Sequence, residues 1–398
     1  MKPTVKIGSL LLAVVMALSA VFATGCSMSK EWSYKTSDKE LAIGVYIYCL
    51  DLAFQQAQTK AKELDDYDGA NDKWLDLEIT DDDGNTAVAR QWIKDDAQKK
   101  CLNFLAVEKL MKDEGASVDE ASQQAADEQA KTYWNVGQYA NYGYIMPMSK
   151  ELEPYGISYD SFRYCTSQYS VNYSVLFSKL YGEGGSQEVS DSELETYFTE
   201  NYVDYSYIPV QLYEASTDEA GESTNVALSE DKIAEYTSEF EGYISDIDGG
   251  KSFDDVVSAY TEKHELTDSP AVDNTEQLES VSAGDQIKDA LKELGNNKAV
   301  TVKVGEGDSA MLYLVYKRNS ADSGKDYLES ETNRAGVLNT MKKDDFEDYI
   351  KKTADDLDYE KNSAVDGYDP KMFFVAEVPT TAAETTASAE EEGSAAEE

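Results

Sequence analysis

The chain has 398 residues, with 35 Lys plus Arg against 78 Asp plus Glu and a formal net charge of −43 at pH 7. A surface this acidic repels DNA, RNA and anionic lipid headgroups, which excludes nucleic acid as a partner and leaves basic polypeptides, cations or plain solubility as its uses. A single histidine, His264, removes multi-histidine metal sites and catalytic histidine pairs, so no cofactor and no metal is expected.

At the N-terminus, Lys2 and Lys6 precede an apolar run from Ile7 to Ala23 that ends in Thr24-Gly25-Cys26. This order reads as a cleavable signal over residues 1–25. Small residues before one cysteine resemble a bacterial lipoprotein signal, which implies lipidation at Cys26, a lipid anchor in the membrane and a place on its extracytoplasmic face. No other segment approaches the 18 or so apolar residues of a spanning helix. Ser37 and Glu40 have capping-box spacing, and Leu41, Val45, Cys49 and Leu52 follow at helical intervals, which predicts a helix to about Lys62. The acidic, turn-rich stretch 65–85 fails the calcium-loop pattern, because Ile79 or Leu64 would take the first ligand position. Val88, Trp92, Ile93, Ala97, Cys101, Leu105 and Met111 predict a second helix over about 86–114, stopped by Gly115. Ser117 and Glu120 have capping-box spacing for a third, running to about Val136. Cys49, Cys101 and Cys165 are far apart in sequence and each sits in an apolar helical pattern, which marks them as small core residues rather than a disulfide framework or zinc site.

The segment "YWNVGQYANYGYIMPMSK" is rich in tyrosine and methionine. Two readings are open: a plastic surface for unfolded chains, or an ordered loop that packs its rings between helices. A helix over 158–181 follows, with Phe162, Cys165, Val175, Leu176 and Leu180 to bury, and Ser190 with Glu193 caps the next one. At residue 203 the period changes to two. A strand, "VDYSYIPVQL", is followed by a polar insertion, helices near 229–247, in "KSFDDVVSAYTEKH" and in "SAGDQIKDALKEL", and a hairpin of "AVTVKV" with "AMLYLVYKR". The chain is therefore α+β, mainly helical, with a small α+β domain over 202–319. A return helix from about Lys325 to Leu357 lies within 320–359, and residues 360–398 make an extended segment and a disordered acidic tail.

A lipoprotein-type signal, a helical region and the segments "VSDSELETYFTENYVDYSYIPV", "YISDIDGGKSFDDVVSAYTEK" and "ALKELGNNKAVTVKV" with "MLYLVYKR" together resemble the PrsA and SurA type of extracytoplasmic folding factors. The resemblance implies a chaperone-like helical domain of SurA N-terminal type over 26–201, a parvulin-like prolyl isomerase domain over 202–319, and a C-terminal helix packing on the helical domain. Active parvulins hold two facing histidines on the first and last strands. Here those positions fall at Tyr207 and at or near Met311, a remnant pocket without imidazole, and His264 reads as an exposed polar residue. The implied function is a membrane-anchored chaperone for unfolded or partly folded secreted polypeptides, its isomerase activity weak or lost and no catalytic residue assigned. Client contacts are expected from Tyr133, Trp134, Tyr139, Tyr142, Tyr144, Met146 and Met148. An active isomerase and a non-enzymatic envelope scaffold lipoprotein are the alternatives.

Overall fold

The computed structural model describes residues 31–82, 84–217 and 223–377. The signal segment, Cys26 and the acidic tail beyond residue 377 lie outside the described residues. The fold is α+β and mainly helical, with small antiparallel sheets. The chain divides into two compact units, Met1–Leu180 with Asp345–Glu398, and Tyr181–Asp344. No helix among the described residues is long and apolar enough to cross a membrane.

In the first unit, strands β1 (Trp32–Lys35) and β2 (Glu40–Ala42) pair antiparallel. Residues 37–39 therefore turn the chain between strands and Glu40 opens β2, so Ser37 and Glu40 do not cap a helix. Helix α1 (Ile43–Ala61) starts directly after β2 with no side-chain cap, because strand pairing has already fixed the entering backbone. A hairpin of β3 (Glu78–Thr80) and β4 (Thr86–Val88) likewise takes the first residues expected of the second helix, so α2 spans Ala89–Asp113. The buried small residues Ala53, Ala57 and Ala61 of α1 and Ala97 and Cys101 of α2 let these two helices approach closely. Helix α3 (Glu120–Asn135) is capped by Asp119, whose carboxylate accepts from Ser122 N at 2.9 Å, two residues beyond the Ser117 expected in that role. The short α4 (Met148–Leu152) and α5 (Tyr159–Arg163) lead through a π-helical turn, Tyr164–Gln168, into α6 (Tyr169–Tyr181).

One buried carboxyl in α1 has a measurable consequence. Asp51 accepts from Gln55 Nε2 at 3.2 Å. Burial, partly offset by that hydrogen bond and reinforced by the charge of Glu151, pushes the Asp51 carboxyl from 3.8 up to about 6. In the fold it keeps a proton that the unfolded chain has already lost, so its cost is absent below about pH 4 and complete above about pH 6. Asp51→Asn is expected to stabilise the protein by about 2 kcal/mol at pH 7.5 and by nothing at pH 4. Urea unfolding at the two pH values checks this, and a gain equal at both would reject the assignment.

In the second unit, α7 (Asp191–Asn201) begins with the predicted capping box of Ser190 and Glu193 and feeds β5 (Tyr202–Gln211). The polar insertion contains a hairpin, β6 (Tyr213–Thr217) with β7 (Ser223–Ala227). Helices α8 (Glu230–Asp248) and α9 (Phe253–Lys263) follow, then β8 (Val272–Gln277), α10 (Asp285–Glu293), β9 (Lys298–Val304) and β10 (Met311–Lys317). All pairings in the resulting four-stranded sheet are antiparallel, in the order β8-β5-β10-β9. Strand β8 is not foreseen by the sequence, because "VDNTEQ" lacks the apolar alternation of a half-buried strand; it sits at the sheet edge, where polar residues are tolerated. Alternation along β5 and β10 sorts the core into two layers. Ile208, Val210, Leu312 and Leu314 pack with Phe240 of α8 and Val256 of α9, while Val203, Tyr205 and Val315 pack with Ile287 and Leu291 of α10.

The expected return helix is two helices, α11 (Ser320–Glu329) and α12 (Glu331–Asp355), broken at Ser330. In the first unit Phe346 sets its ring against Tyr173 and Phe177, at 4.6 and 5.3 Å. Strand β11 (Glu360–Lys361) adds to the free side of β1. Residues 360–377 are not simply extended, since Val365 and Phe373 are buried and Phe373 packs 4.8 Å from the ring of Tyr155.

Candidate functional site

In the first unit, the tyrosine-rich segment closes on itself after α3. Met146 N donates to Val136 O at 2.8 Å, and Tyr142 N and Tyr144 N donate to Tyr139 O at 3.0 and 3.2 Å. Gly137 makes the closure possible: its φ is +102°, and a Cβ there would lie 2.2 Å from Met146 O. The base of the loop is ordered core. Trp134 is buried, with its ring 5.4 Å from Phe162 and 5.8 Å from Tyr159. Tyr133 is half-buried and accepts from Gln129 Nε2 at 3.0 Å, and Met148 is also half-buried. These three candidates anchor or flank the loop rather than form its crest. The crest is Tyr142, Ile145 and Tyr144, at 79%, 72% and 67% exposure, flanked by the exposed Tyr139 and Met146. Ile145 is absent from the residues expected to meet clients, because a lone isoleucine carries no signal among so many tyrosines and methionines. The base of the segment is packed between helices and its crest is exposed. Large apolar side chains crowded on one short segment in water are uncommon and mark interaction surfaces.

Gly137→Ala tests whether the crest is held by this closure. Positive φ at a non-glycine residue costs about 1–3 kcal/mol, and here the clash is with backbone, which cannot swing away. Local opening of residues 137–146 should make limited proteolysis there roughly tenfold faster without a comparable change elsewhere. An unchanged cleavage rate would show that the loop is not held at Gly137.

On the α10 face of the sheet, the register separates the two residues expected to face one another. Tyr207 pairs with Val315, whereas Met311 pairs with Gln211. The same-face positions are four residues apart, roughly 13 Å along the strand. The residue of β10 that meets Tyr207 is Tyr313, with ring centroids 5.4 Å apart and planes at 76°. Tyr205 stacks on Tyr207, with ring centroids 6.1 Å apart. Its hydroxyl donates at 2.6 Å to Glu276 Oε1, which also accepts from Ser282 N and Oγ at 3.0 and 3.1 Å. Burial raises the pKa of the Tyr313 phenol, with the nearby Tyr207 and Tyr213 adding to the rise, so it stays neutral at physiological pH. The site is a stack of phenols, able to pack a ring and donate a hydrogen bond, and it contains no imidazole.

The strands themselves are clamped by Arg318. Its guanidinium donates to Asp204 Oδ1 at 2.8 Å and to Asp273 Oδ1 at 2.6 Å, tying β5 to β8 from the end of β10. Ser206 Oγ donates to the same Asp273 oxygen.

His264 is not an exposed polar residue. Its Nε2 lies 3.0 and 3.2 Å from the two oxygens of Glu239, which also accepts from Lys263 Nζ at 3.0 Å and from Tyr243 Oη at 2.9 Å. The imidazole ring is 4.2 Å from that of Tyr260. This cluster belongs to the α8 and α9 layer, on the opposite side of the sheet from Tyr207 and Tyr313. Beside it, a cleft of about 680 Å³ runs along α9 and residues 265–273, with Phe253, Val257 and Leu266 among its apolar lining and Asp254, Glu262 and Glu265 among its acids.

No protein-family model matches this chain, and no curated protein matches it. Among solved structures, it is similar to foldase protein PrsA from Streptococcus pneumoniae at 15% identity and a TM-score of 0.34, over 75% of this chain and 100% of that one. It is also similar to PrsA from Bacillus subtilis at 16% identity and a TM-score of 0.25, over 71% of this chain and 94% of that one.

Proposed function

We propose that this protein is a membrane-anchored extracytoplasmic chaperone that holds unfolded secreted polypeptides, with the isomerase activity of the parvulin-like region 202–319 weak or lost. The observation that carries this reading is the crest of Tyr139, Tyr142, Tyr144, Ile145 and Met146 standing on a buried base. Aromatic and thioether side chains adapt to many apolar partners at low specificity, which is what a holder of varied chains needs. The acidic surface favours clients with basic segments and keeps chaperone molecules apart. The anchor is the lipid on Cys26, which would keep the protein on the extracytoplasmic face of the membrane, where secreted chains emerge. The tyrosine pair supports loss of isomerisation, because a phenol cannot supply the imidazole hydrogen-bond network expected around the prolyl amide.

The test places the full chain with a denatured secreted client and a proline-containing reporter peptide in one sample. Light scattering from the client should fall while the peptide relaxes at the uncatalysed rate of tens of seconds or slower. Acceleration that Tyr207→Phe or Tyr313→Phe abolishes would replace this reading with an active isomerase. Neither effect would leave a scaffold role.

A further inference from the structure

The three cysteines that are far apart in sequence meet in the fold. Cys49 comes from the middle of α1, Cys101 from the middle of α2 and Cys165 from the π-helical turn after α5, and all three are buried free thiols. Cys49 is the shared member, within side-chain hydrogen-bonding reach of both Cys101 and Cys165. The π turn matters here, since such a turn inserts one residue into a helix and re-aims the side chains within it, a feature common at functional positions. The reading of these residues as small core residues holds, since all three are buried, and α1 packs on α2 and on the turn so that the packing also collects the sulfurs.

We infer that Cys49 is the common partner of an internal disulfide, closing with Cys101 or with Cys165 and leaving the third thiol beside it for exchange. The oxidant is a small disulfide met before α1 is covered during folding, or during transient opening of this unit. The Cys49 thiolate attacks one sulfur of the small disulfide, forming a mixed disulfide and expelling one small thiolate. The neighbouring Cys101 thiolate then attacks Cys49 Sγ, forming the internal bond and releasing the second small thiolate. The two protons lost by the protein thiols end on the two small thiols, and the two electrons have reduced the external disulfide. Cys165 can repeat the attack on Cys49 Sγ and release Cys101, with no net redox change.

Position assigns the roles: Cys49 is the one sulfur that neighbours both of the others, so it is the atom through which either bond closes. The two closures differ in effect. A bond to Cys101 staples α1 to α2. A bond to Cys165 staples α1 to the helix carrying Phe162, against which Trp134, the base of the exposed loop, is packed.

The experiment incubates the native full chain with oxidised glutathione in mild urea, alkylates in strong denaturant, digests and maps linked peptides by mass spectrometry. The expected result is a peptide bearing Cys49 joined to that of Cys101 or Cys165, lost on reduction and absent from Cys49→Ser. Cys101→Ser and Cys165→Ser each keep one pair and should each still show the remaining link, so the test survives if one variant does not fold. Alkylation of all three residues or a Cys101–Cys165 link in the wild-type chain would overturn the inference.

Discussion

Replacing Tyr139, Tyr142, Tyr144, Ile145 and Met146 together by serine is expected to abolish suppression of client aggregation while leaving the melting temperature within a few degrees of the wild type. All five side chains are exposed, and substitutions at exposed positions away from caps and networks change stability by less than about 0.5 kcal/mol each. The hydrogen bonds that close the loop are backbone to backbone, so they survive the change. The functional loss should be large, because the side chains removed are the ones that adapt to apolar client segments. A control at the base separates contact from structure: Trp134→Ala should cost about 3–5 kcal/mol through its cavity against Tyr159 and Phe162. If the five-serine variant still suppressed aggregation fully, client binding would lie elsewhere, and the acid-lined cleft along α9 would be the next place to test.

Arg318→Met is expected to destabilise the second unit by about 2–3 kcal/mol, a fall of roughly 5–10 °C in its unfolding temperature. Asp204 is nearly buried, its side chain only 10% exposed, and Arg318 is the cation that meets it. Removing the guanidinium strands that carboxylate and also releases Asp273, which is 69% exposed and readily rehydrated. The cost therefore falls mainly on one group, below the range for a fully buried pair. Asp204→Leu in the Arg318→Met background should recover much of the loss, because an apolar pair leaves no charge to desolvate. A loss no smaller in the double variant than in the single one would show that Arg318 acts through packing of its stem instead. Thermal unfolding followed by tyrosine circular dichroism distinguishes the two.

Much of this organisation is legible in the amino-acid sequence. Helical spacing locates the main helices, and the capping box at Ser190 and Glu193 is formed as expected. The departures share a cause, since each depends on partners distant in sequence. Residues 37–40 have the composition of a cap, but β1 claims the backbone that follows. Strand β8 carries no apolar alternation of its own and exists because β5 offers it an edge. Tyr313, rather than Met311, meets Tyr207 because the pairing of β5 with β10 sets the register, and two residues along a strand move a side chain by about 6–7 Å on the same face. The cysteines look unrelated in sequence because proximity between helices is written in packing, not spacing. At the exposed loop, composition finds the segment but does not sort anchor from crest, and that distinction rests on Gly137 and the bonds that fold the chain back.

The small sheet of β11, β1 and β2 bears on the order of events during synthesis. Its middle strand emerges near the beginning of the chain and its outer strand near the end, while Phe346, Val365 and Phe373 complete the same unit from the C-terminal side. The second unit, Tyr181–Asp344, is one uninterrupted stretch. A chain delivered N-terminus first can finish that stretch while the earlier helices still wait for their closing partners. Until the last residues arrive, the apolar faces of α1 and α2 stay partly uncovered, so a ribosome stalled or a chain cut after residue 344 should yield a molecule whose first unit is incomplete and whose second is already formed.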